Sequence, residues 1–215
     1  MNEIFDIVRT SLEVSGLSLI IAGVIGIPLG VIVGLSRFRG RKWLIALVNT
    51  GMGLPPVLVG LVVVMMMGRS GPLGFLGLLY SRTAMVIAQT IIALPLVTAF
   101  TIAGIQKIDP ELIRQTVSLG ATRLQFFRII IQEARLTILV ALMAGFGSII
   151  SEVGAVMMVG GNIRGETTVL TTGILQSTRM GMFNQALILG GVLLAISFIV
   201  NLALTLIQQK RTDHY

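Results

Sequence analysis

Residues 105–135, IQKIDPELIRQTVSLGATRLQFFRIIIQEAR, form the only long polar stretch in a chain that is otherwise strongly apolar. The stretch contains the start signals of a helix. Asp109 can cap a helix N-terminus, Pro110 suits the first helical position, and Glu111 places a negative charge where the helix dipole favours it. Gly120 then favours the left-handed backbone of a helix end. The pattern predicts a short helix that ends at this glycine.

A second helix is predicted immediately after the glycine. Thr122 and Gln125 form a T-x-x-Q capping box, and Leu124, Phe127 and Ile131 follow at helical spacing. The first helix has an apolar side that consists of Leu112, Ile113, Val117 and Leu119. Two helices joined at a glycine predict an ordered unit on a membrane surface. An ordinary structured loop between two spans is the alternative.

The composition indicates an integral membrane protein. Hydrophobic residues make up 54% of the chain and charged residues 12%, and the mean hydropathy is +0.95. Soluble domains carry about 25% charged residues. A length of 215 residues allows five or six helical spans and no separate soluble domain. Because the apolar runs are long and continuous, they argue against a transmembrane β-barrel, whose strands would alternate.

The sequence contains no pattern that is typical of an enzyme or a metal site. Cysteine is absent and His214 is the only histidine, which excludes thiolate and histidine-built metal sites. No Ser/His/Asp set and no GxxxxGK[ST] loop is present, so the chain is not expected to bind a nucleotide through a P-loop.

The apolar runs predict an all-α, polytopic membrane helix bundle of about five transmembrane helices in a single domain, residues 1–215. Residues 1–13 are mixed in character and predict an interfacial helix that leads into the first span. Residues 68–82 and 161–185 are predicted outer connections. The predicted spans are about 14–35, 43–67, 83–104, 136–160 and 186–207, with residues 105–135 between the third and the fourth.

Small residues and prolines interrupt two of these spans. Gly26, Gly30 and Gly34 repeat every four residues, so they share one side of the first span and predict a close approach of another helix. Pro28 should bend the same span, and Pro95 should break the third.

The second span contains a stronger interruption, the sequence NTGMGLPPVLVGL. Pro55 and Pro56 must break regular hydrogen bonding, and Asn49 and Thr50 could supply the missing partners. Irregular backbone at this depth is tolerated only where protein or a water-filled cavity covers it. The second span is therefore predicted to lie beside a transport pathway, with a purely structural kink as the alternative.

Polar residues in the third and fourth spans are further pathway or gate candidates. Thr90 and Thr98 fall on one side of the third span, and Ser148, Ser151 and Glu152 fall on one side of the fourth. Glu152 is the only carboxylate well inside an apolar run, and a buried charge in a membrane is costly and often functional. It could line the pathway, titrate, or hydrogen-bond to freed backbone. A structural or gating role is favoured over contact with an anionic substrate, which it would repel.

The distribution of basic residues predicts the topology. Short loops rich in Lys and Arg stay in the cytoplasm, and loop 36–42 holds four such residues. Five spans then place residues 105–135 and the C-terminus inside and residues 1–13 outside. Eleven basic residues lie inside, counting five in 105–135 and two in the C-terminal tail, against five outside. Nucleic-acid binding is the alternative use of the basic loop, but a loop between two spans does not require it.

At this point the sequence resembles a known family. ELIRQTVSLGATRLQFFRIII (111–131) is similar to the cytoplasmic loop of ABC-importer membrane subunits, with Gly120 at the family glycine, Ala121 after it, and Phe126, Phe127 and Ile129 in the apolar tail. The loop departs from the family at the Glu-Ala-Ala triplet, where Arg114, Gln115 and Thr116 stand, and at a proline, where Gln132 stands.

Other stretches resemble the tungstate/molybdate branch of these importers. They are LPPVLVGL (54–61), SGPLG (70–74) and SEVGAVMMVGGNIRGETTVL (151–170). Within this branch, GETTVLTTGIL (165–175) is closer to the tungstate type. The resemblance covers most of the chain.

The resemblance implies a type I ABC importer architecture in the cytoplasmic membrane of a prokaryote. Two copies of the chain would form a pathway at their interface, surrounded by membrane lipid. Two ABC ATPase subunits would bind ATP and magnesium and dock on residues 109–127, and an extracytoplasmic binding protein would deliver the oxyanion. The chain itself would bind no cofactor and no nucleic acid and would not be an enzyme. The implied ATPase-coupling residues are Asp109, Glu111, Arg114, Gly120, Ala121, Thr122, Phe126 and Phe127.

Two alternative functions remain open from the sequence. The first is an importer of the same architecture for sulfate, phosphate or an amino acid. The second is an ATP-independent carrier or channel, although such carriers often contain paired repeats and no convincing internal repeat is present.

Overall fold

The computed structural model describes residues 2–209, so the predictions for Met1 and for the basic tail residues Lys210 and Arg211 lie outside the described residues. The described chain is all-α, which confirms the predicted fold class. In chain order the helices are α1 (Asn2–Leu35), α2 (Arg41–Met52), α3 (Pro56–Met67), a 3-10 turn (Gly74–Leu76), α4 (Arg82–Ile105), α5 (Pro110–Ser118), α6 (Arg123–Glu133), α7 (Arg135–Ile150), α8 (Gly154–Gly160), α9 (Leu170–Arg179) and α10 (Phe183–Gln209).

Three of the described helices, α1, α4 and α10, are each long and apolar enough to cross a membrane. Two bent pairs raise the number to five if each pair is one span: α2 with α3, which meet at 98°, and α6 with α7, which meet at 68°. The second predicted span is thus two separate helices.

The helix α1 is continuous from its first described residue, so residues 2–13 form a helix that leads into the first span without a break; whether they lie at the membrane interface stays a prediction. This segment has partners within the fold. Ile7 is buried with Leu170 and Leu189, and the buried Ser11 accepts a hydrogen bond from the Leu170 backbone N–H at 2.8 Å. Tertiary packing therefore attaches this segment to α9 and α10.

The glycine stripe of α1 packs directly on α4. A Cβ atom on Gly30 would lie 2.6 Å from Cβ of Thr101, and one on Gly34 would lie 2.7 Å from Cγ2 of Ile105. Gly26 contacts the preceding turn of α4 in the same way. Since contacts advance in the same direction along both helices, α1 and α4 are parallel. The absence of side chains on these glycines allows the two backbones to approach closely.

The helix α4 continues through Pro95, so the predicted break at this residue is wrong, and α1 likewise continues through Pro28. In an apolar environment a full interruption would leave several backbone groups without partners, whereas a proline within a helix removes only one hydrogen bond. Pro95 instead forms a contact surface, because a Cβ on Gly51 of α2 would lie 2.8 Å from it.

The predicted fourth span, 136–160, is interrupted. The helix α7 ends at Ile150, three residues intervene, and α8 begins at Gly154. The helix α7 runs antiparallel to α4: Gly104 faces Thr137 at one end, and Gln89 donates to the Ile149 carbonyl at the other. The helix α8 then packs on α3.

The predicted outer loop 161–185 is only partly a loop, because it contains α9. Four of its five threonines, Thr167, Thr168, Thr171 and Thr172, are buried, and two of them hydrogen-bond to the backbone of the preceding elements. Thr167 donates to the Gly160 carbonyl at 2.6 Å, and Thr171 donates to the Glu152 carbonyl at 2.8 Å. These bonds fold the segment back onto α8.

Two ion pairs connect the α1 N-terminal end to this segment and to α4. Arg164 contacts Glu3 at 2.5 Å, and Arg82 contacts Glu13 at 2.7 Å. The Glu3 carboxylate raises the pKa of Arg164, mainly through their hydrogen bond. Arg82 also donates to the Glu166 carbonyl. Ion pairs therefore attach the N-terminal part of α1 to the rest of the fold at two positions, Glu3 and Glu13.

Candidate functional site

The helices α5 and α6 and the turn between them, residues 110–133, form a short helix–turn–helix unit, the α5–α6 hairpin. It lies at the end of the bundle opposite to Glu3. At the start of α5, the Asp109 carboxylate accepts a hydrogen bond from the Glu111 backbone N–H at 2.8 Å, and Pro110 is the first helical residue. On the exposed side of α5, Glu111 and Arg114 form an ion pair at 2.8 Å. The predicted start of the first helix is confirmed.

The joint between the two helices also has the predicted geometry. Gly120 has a φ of 74°, in the left-handed region that favours glycine. The Thr122 backbone N–H donates to Oε1 of Gln125 at 2.8 Å, and the Gln125 backbone N–H donates to Oγ1 of Thr122 at 3.4 Å. Because capping and backbone geometry agree, the turn between α5 and α6 has one defined shape.

The hairpin has two apolar faces, where the sequence predicted one apolar side on α5. Leu112 and Ile113 pack inward against the ends of α1 and α4, whereas Val117 and Leu119 point away and are exposed. Phe126 and Phe127 of α6 belong to the inner side, and Ala121 in the turn is half-buried.

The outward face of the hairpin exposes large apolar side chains, although residues 105–135 are polar as a whole. Leu119 is 87% exposed, Leu124 79% and Val117 62%. Apolar side chains that are grouped on an exposed surface mark a site of contact with another molecule. Gly120 lies between them, so a partner on this face would contact the turn directly.

A second candidate site lies where two helix breaks meet. The break between α2 and α3 covers residues 53–55, and the break between α7 and α8 covers residues 151–153. A Cβ on Gly154 would lie 2.7 Å from Cγ2 of Val57, and one on Gly60 would lie 2.7 Å from Cα of Ala155. The two breaks are therefore neighbours. Through the contact of Gly51 with Pro95, they lie beside the middle of α4.

The meeting point of the breaks is open at the surface of the single chain. Asn49, Thr50, Pro55 and Ser151 are exposed, and Pro56, Ser148 and Glu152 are half-buried. Thr50 does not supply a partner for the proline break, because its hydroxyl donates to the Ala46 carbonyl in its own helix.

Glu152 has a defined structural contact at this point. Its Oε1 accepts a hydrogen bond from the Ala155 backbone N–H at 3.0 Å, so the carboxylate caps the first turn of α8. The Glu152 carbonyl in turn accepts from Thr171. The side chain thus binds freed backbone, one of the roles that the sequence left open.

Of the two threonine candidates of α4, one has a defined contact with another helix. Thr98 is buried against Gly26 of α1 and donates to the Leu94 carbonyl. The hydroxyl of Thr90 is buried and has no hydrogen-bond partner among residues 2–209. The structure therefore groups Thr98 with the α1–α4 contact and away from the helix breaks.

One structural residue at this site was missed by the sequence reasoning. Gln89 is 2% exposed, and its Nε2 donates at 3.0 Å to the Ile149 carbonyl, close to where α7 ends. A glutamine inside an apolar span was the available signal. Within residues 2–209, no group of three or more His, Asp or Glu side chains is placed to hold a metal ion.

Known proteins resemble this chain over nearly its full length. The family profile described as "Binding-protein-dependent transport system inner membrane component" matches residues 26–213. The tungstate uptake system permease protein TupB of Peptoclostridium acidaminophilum is 40% identical over 97% of this chain and 91% of the relative. A probable anion ABC transporter permease protein of Haloferax volcanii is 37% identical over 94% of this chain and 89% of the relative.

The fold is also that of solved importers. An inward-facing structure of the MetNI methionine ABC transporter has a TM-score of 0.79 at 20% identity, covering 98% of this chain and 96% of the other. This likeness shows the type I ABC importer fold and nothing more specific. The chain therefore belongs to the family of binding-protein-dependent transport system inner membrane components, and it is a membrane permease subunit, a transport component of an ABC importer that also includes ATPase subunits and a binding protein.

Proposed function

We propose that this chain carries an oxyanion, tungstate in preference to molybdate, across the cytoplasmic membrane of a prokaryote as part of an ATP-driven importer. The names of the relatives support the cargo, since the TupB proteins of Peptoclostridium acidaminophilum and Campylobacter jejuni are tungstate uptake permeases at 40% and 33% identity. The molybdenum transport permease ModB of Azotobacter vinelandii is 29% identical and the sulfate transport permease CysW of Synechocystis 26%. Tungstate is therefore favoured over sulfate.

The observation that carries the transport proposal is the exposed meeting point of the two helix breaks. Broken backbone beside the middle of a membrane helix cannot face lipid, because its polar groups would have no partners. Two copies of the chain, arranged with these breaks facing each other, would cover them and leave a water-filled path between. Uncharged Asn49, Thr50 and Ser151 would line that path and bind cargo weakly enough to release it.

Thiol labelling tests the path directly, because the natural chain contains no cysteine. Ser151→Cys should react with a charged, membrane-impermeant methanethiosulfonate, since it would face water in the assembled complex. Phe198→Cys on α10 is the matched control: Phe198 is 65% exposed on the single chain, but it would face lipid and stay unreactive. Equal protection of both cysteines would contradict a water-filled path at the breaks.

The α5–α6 hairpin is the proposed docking surface for the ATPase subunits, which would hold ATP and magnesium. The exposed Val117, Leu119 and Leu124 would contact the ATPase. The inner side, with Phe126 and Phe127, would transmit its movement to α1 and α4. The excess of basic residues on this side supports a cytoplasmic position for the hairpin and an outside position for the N-terminus.

Gly120 offers a test of coupling that separates backbone strain from side-chain contact. No atom lies within 4 Å of the position of a Cβ there, so a new side chain meets no clash within the chain. Gly120→Val forces a β-branched residue into left-handed backbone at a cost of about 1–2 kcal/mol, and should lower uptake per ATP hydrolysed. Gly120→Asn, which tolerates this backbone, should preserve coupling. Normal uptake by the valine variant would contradict the docking role.

The cargo is tested by reconstituting the permease with its ATPase subunits and binding protein in liposomes. Tungstate-loaded binding protein should stimulate ATP hydrolysis and uptake more than molybdate- or sulfate-loaded protein at equal occupancy. If binding protein loaded with sulfate, phosphate or an amino acid stimulates ATP hydrolysis and uptake more than tungstate-loaded protein, that compound is the cargo and the tungstate proposal is wrong. Uptake by the permease alone, without an ATPase, would favour the carrier or channel.

A further inference from the structure

A cavity of about 650 Å³ lies between the α5–α6 hairpin and the ends of α1 and α4. Two stretches that are distant in sequence enclose it together with Phe126 of α6: residues 34–41, from the end of α1 to the start of α2, and residues 105–114, from the end of α4 into α5. The cavity is where the proposed ATPase-docking hairpin leaves the bundle. Its polar lining includes Arg37, Arg41, Gln106 and Arg114.

The charge of this cavity is entirely positive. Three guanidinium groups line it, and none of the described residues that line it is acidic. Arg41 is held in place because its Nε donates to the Val33 carbonyl at 2.9 Å and its Nη2 to the Gly34 carbonyl at 3.2 Å. These bonds occupy only part of its donors.

The other two arginines also have donors to spare. Within residues 2–209, the Arg37 side chain makes no hydrogen bond or ion pair. Arg114 contacts Glu111 through one nitrogen, Nη2, while an arginine has five N–H donors. Three arginines around one cavity, with unused donors and no lining carboxylate, leave a deficit of negative charge that a bound anion would remove.

The surroundings of the cavity place it at the level of lipid headgroups. It lies at the end of two membrane-spanning helices, α1 and α4. Trp43, two residues beyond Arg41, is 81% exposed, and exposed tryptophan is typical of the membrane interface. Ile32 and Phe38 are 55% and 47% exposed on either side of the end of α1, which gives acyl chains an apolar surface beside the arginines.

We propose that this cavity binds the phosphate group of an anionic phospholipid. The planar guanidinium group matches a phosphate with two parallel hydrogen bonds, and basic pockets between membrane helices are suited to acidic headgroups. The bound headgroup would connect Arg37 and Arg41 of the first loop to Arg114 of α5. The lipid would thereby fasten the hairpin to the bundle. The binding itself does not depend on the proposed cargo or on ATP coupling.

The test uses the purified permease–ATPase complex in a neutral detergent, titrated with phosphatidylglycerol and followed by native mass spectrometry. Phosphatidylcholine, which is zwitterionic, and glycerol phosphate, which has no acyl chains, are the comparison ligands. Arg37→Gln and Arg114→Gln should each weaken phosphatidylglycerol binding about tenfold, the loss expected for one charge-assisted hydrogen bond. Arg39→Gln is the control: it lies in the same loop and removes the same charge, but it does not line the cavity, so binding should be unchanged.

Three results would overturn the proposal. The first is phosphatidylcholine binding as tightly as phosphatidylglycerol. The second is an Arg39→Gln effect equal to that of Arg37→Gln, which would indicate diffuse surface attraction. The third is glycerol phosphate binding as tightly as the lipid, which would make the cavity a site for a soluble phosphate. Far-UV circular dichroism of each variant establishes that the helices are retained before binding is compared.

Discussion

Gly30→Ala is the sharpest test of how this bundle is held together. The new Cβ would lie 2.6 Å from Cβ of Thr101 and 3.0 Å from the carbonyl oxygen of Thr98, whereas carbon atoms pack at about 3.5–4.0 Å. The helices α1 and α4 must therefore separate by about 1 Å. Overpacking of this kind costs about 1–3 kcal/mol, and replacing glycine by alanine in a helix returns about 1 kcal/mol. We expect a net destabilisation of about 1 kcal/mol.

Gly16→Ala is the matched control on the same helix. No atom lies within 4 Å of the position of its Cβ, so this variant keeps the gain in helix propensity and has no clash. The two variants should differ by about 2 kcal/mol, the middle of the range for overpacking. The measurement is equilibrium unfolding in detergent by sodium dodecyl sulfate, followed by far-UV circular dichroism.

A third variant separates the specific contact from a general effect of the substitution. Thr101→Gly removes the Cβ that Gly30→Ala would meet, so the double variant should be more stable than the sum of the two single effects predicts. If Gly30→Ala is as stable as Gly16→Ala, the close α1–α4 contact is not the basis of their packing. The reasoning is also refuted if the double variant shows no coupling.

Other substitutions test local contacts in the same unfolding or exchange experiments. Glu152→Ala should destabilise the chain by about 1 kcal/mol because the Ala155 N–H loses its cap, whereas Glu152→Gln keeps an acceptor oxygen and the stability; equal losses would indicate that the charge matters more than the cap. Asp109→Ala should speed amide exchange in α5 several-fold, for a cap worth about 1 kcal/mol, and Asp109→Asn should not. The coupling between Glu3 and Arg164 in a double-mutant cycle should fall as salt concentration rises, since both side chains are exposed to solvent; a salt-independent coupling would count against an ion pair.

The hairpin α5–α6 could be predicted in detail because its determinants are local. A cap at Asp109, a proline after it, a left-handed glycine and a capping box each act within four residues, so the sequence contains them directly. The fold class followed from composition, and the glycine stripe of α1 predicted a close helix contact. The parallel direction of α1 and α4 follows from the predicted alternation of the spans, but the choice of α4 as the partner could not be predicted, because it depends on how the helices pack in three dimensions.

The features that could not be predicted from the sequence lie where distant segments determine the backbone. Residues 2–13 are helical within the fold because Leu170 and Leu189 pack on them, more than 150 positions along the chain. The helix α7 stops at Ile150, and the Gln89 amide holds a carbonyl near that end. Pro95 stays helical because its surroundings offer no better partner for the backbone. The apolar pattern along the sequence contains no information on such contacts.

The length of α1 has a mechanical consequence. Its 34 residues extend about 51 Å, against roughly 30 Å of hydrocarbon, so α1 is longer than the membrane core that it crosses. Its C-terminal end packs on α4 near the point where α4 leads into the hairpin, and Glu3 near its N-terminal end pairs with Arg164. If α1 moves as one rigid rod, a displacement at the hairpin end also displaces the opposite end, and ATP binding would then be transmitted across the bilayer by the helix itself, without a relay of side chains.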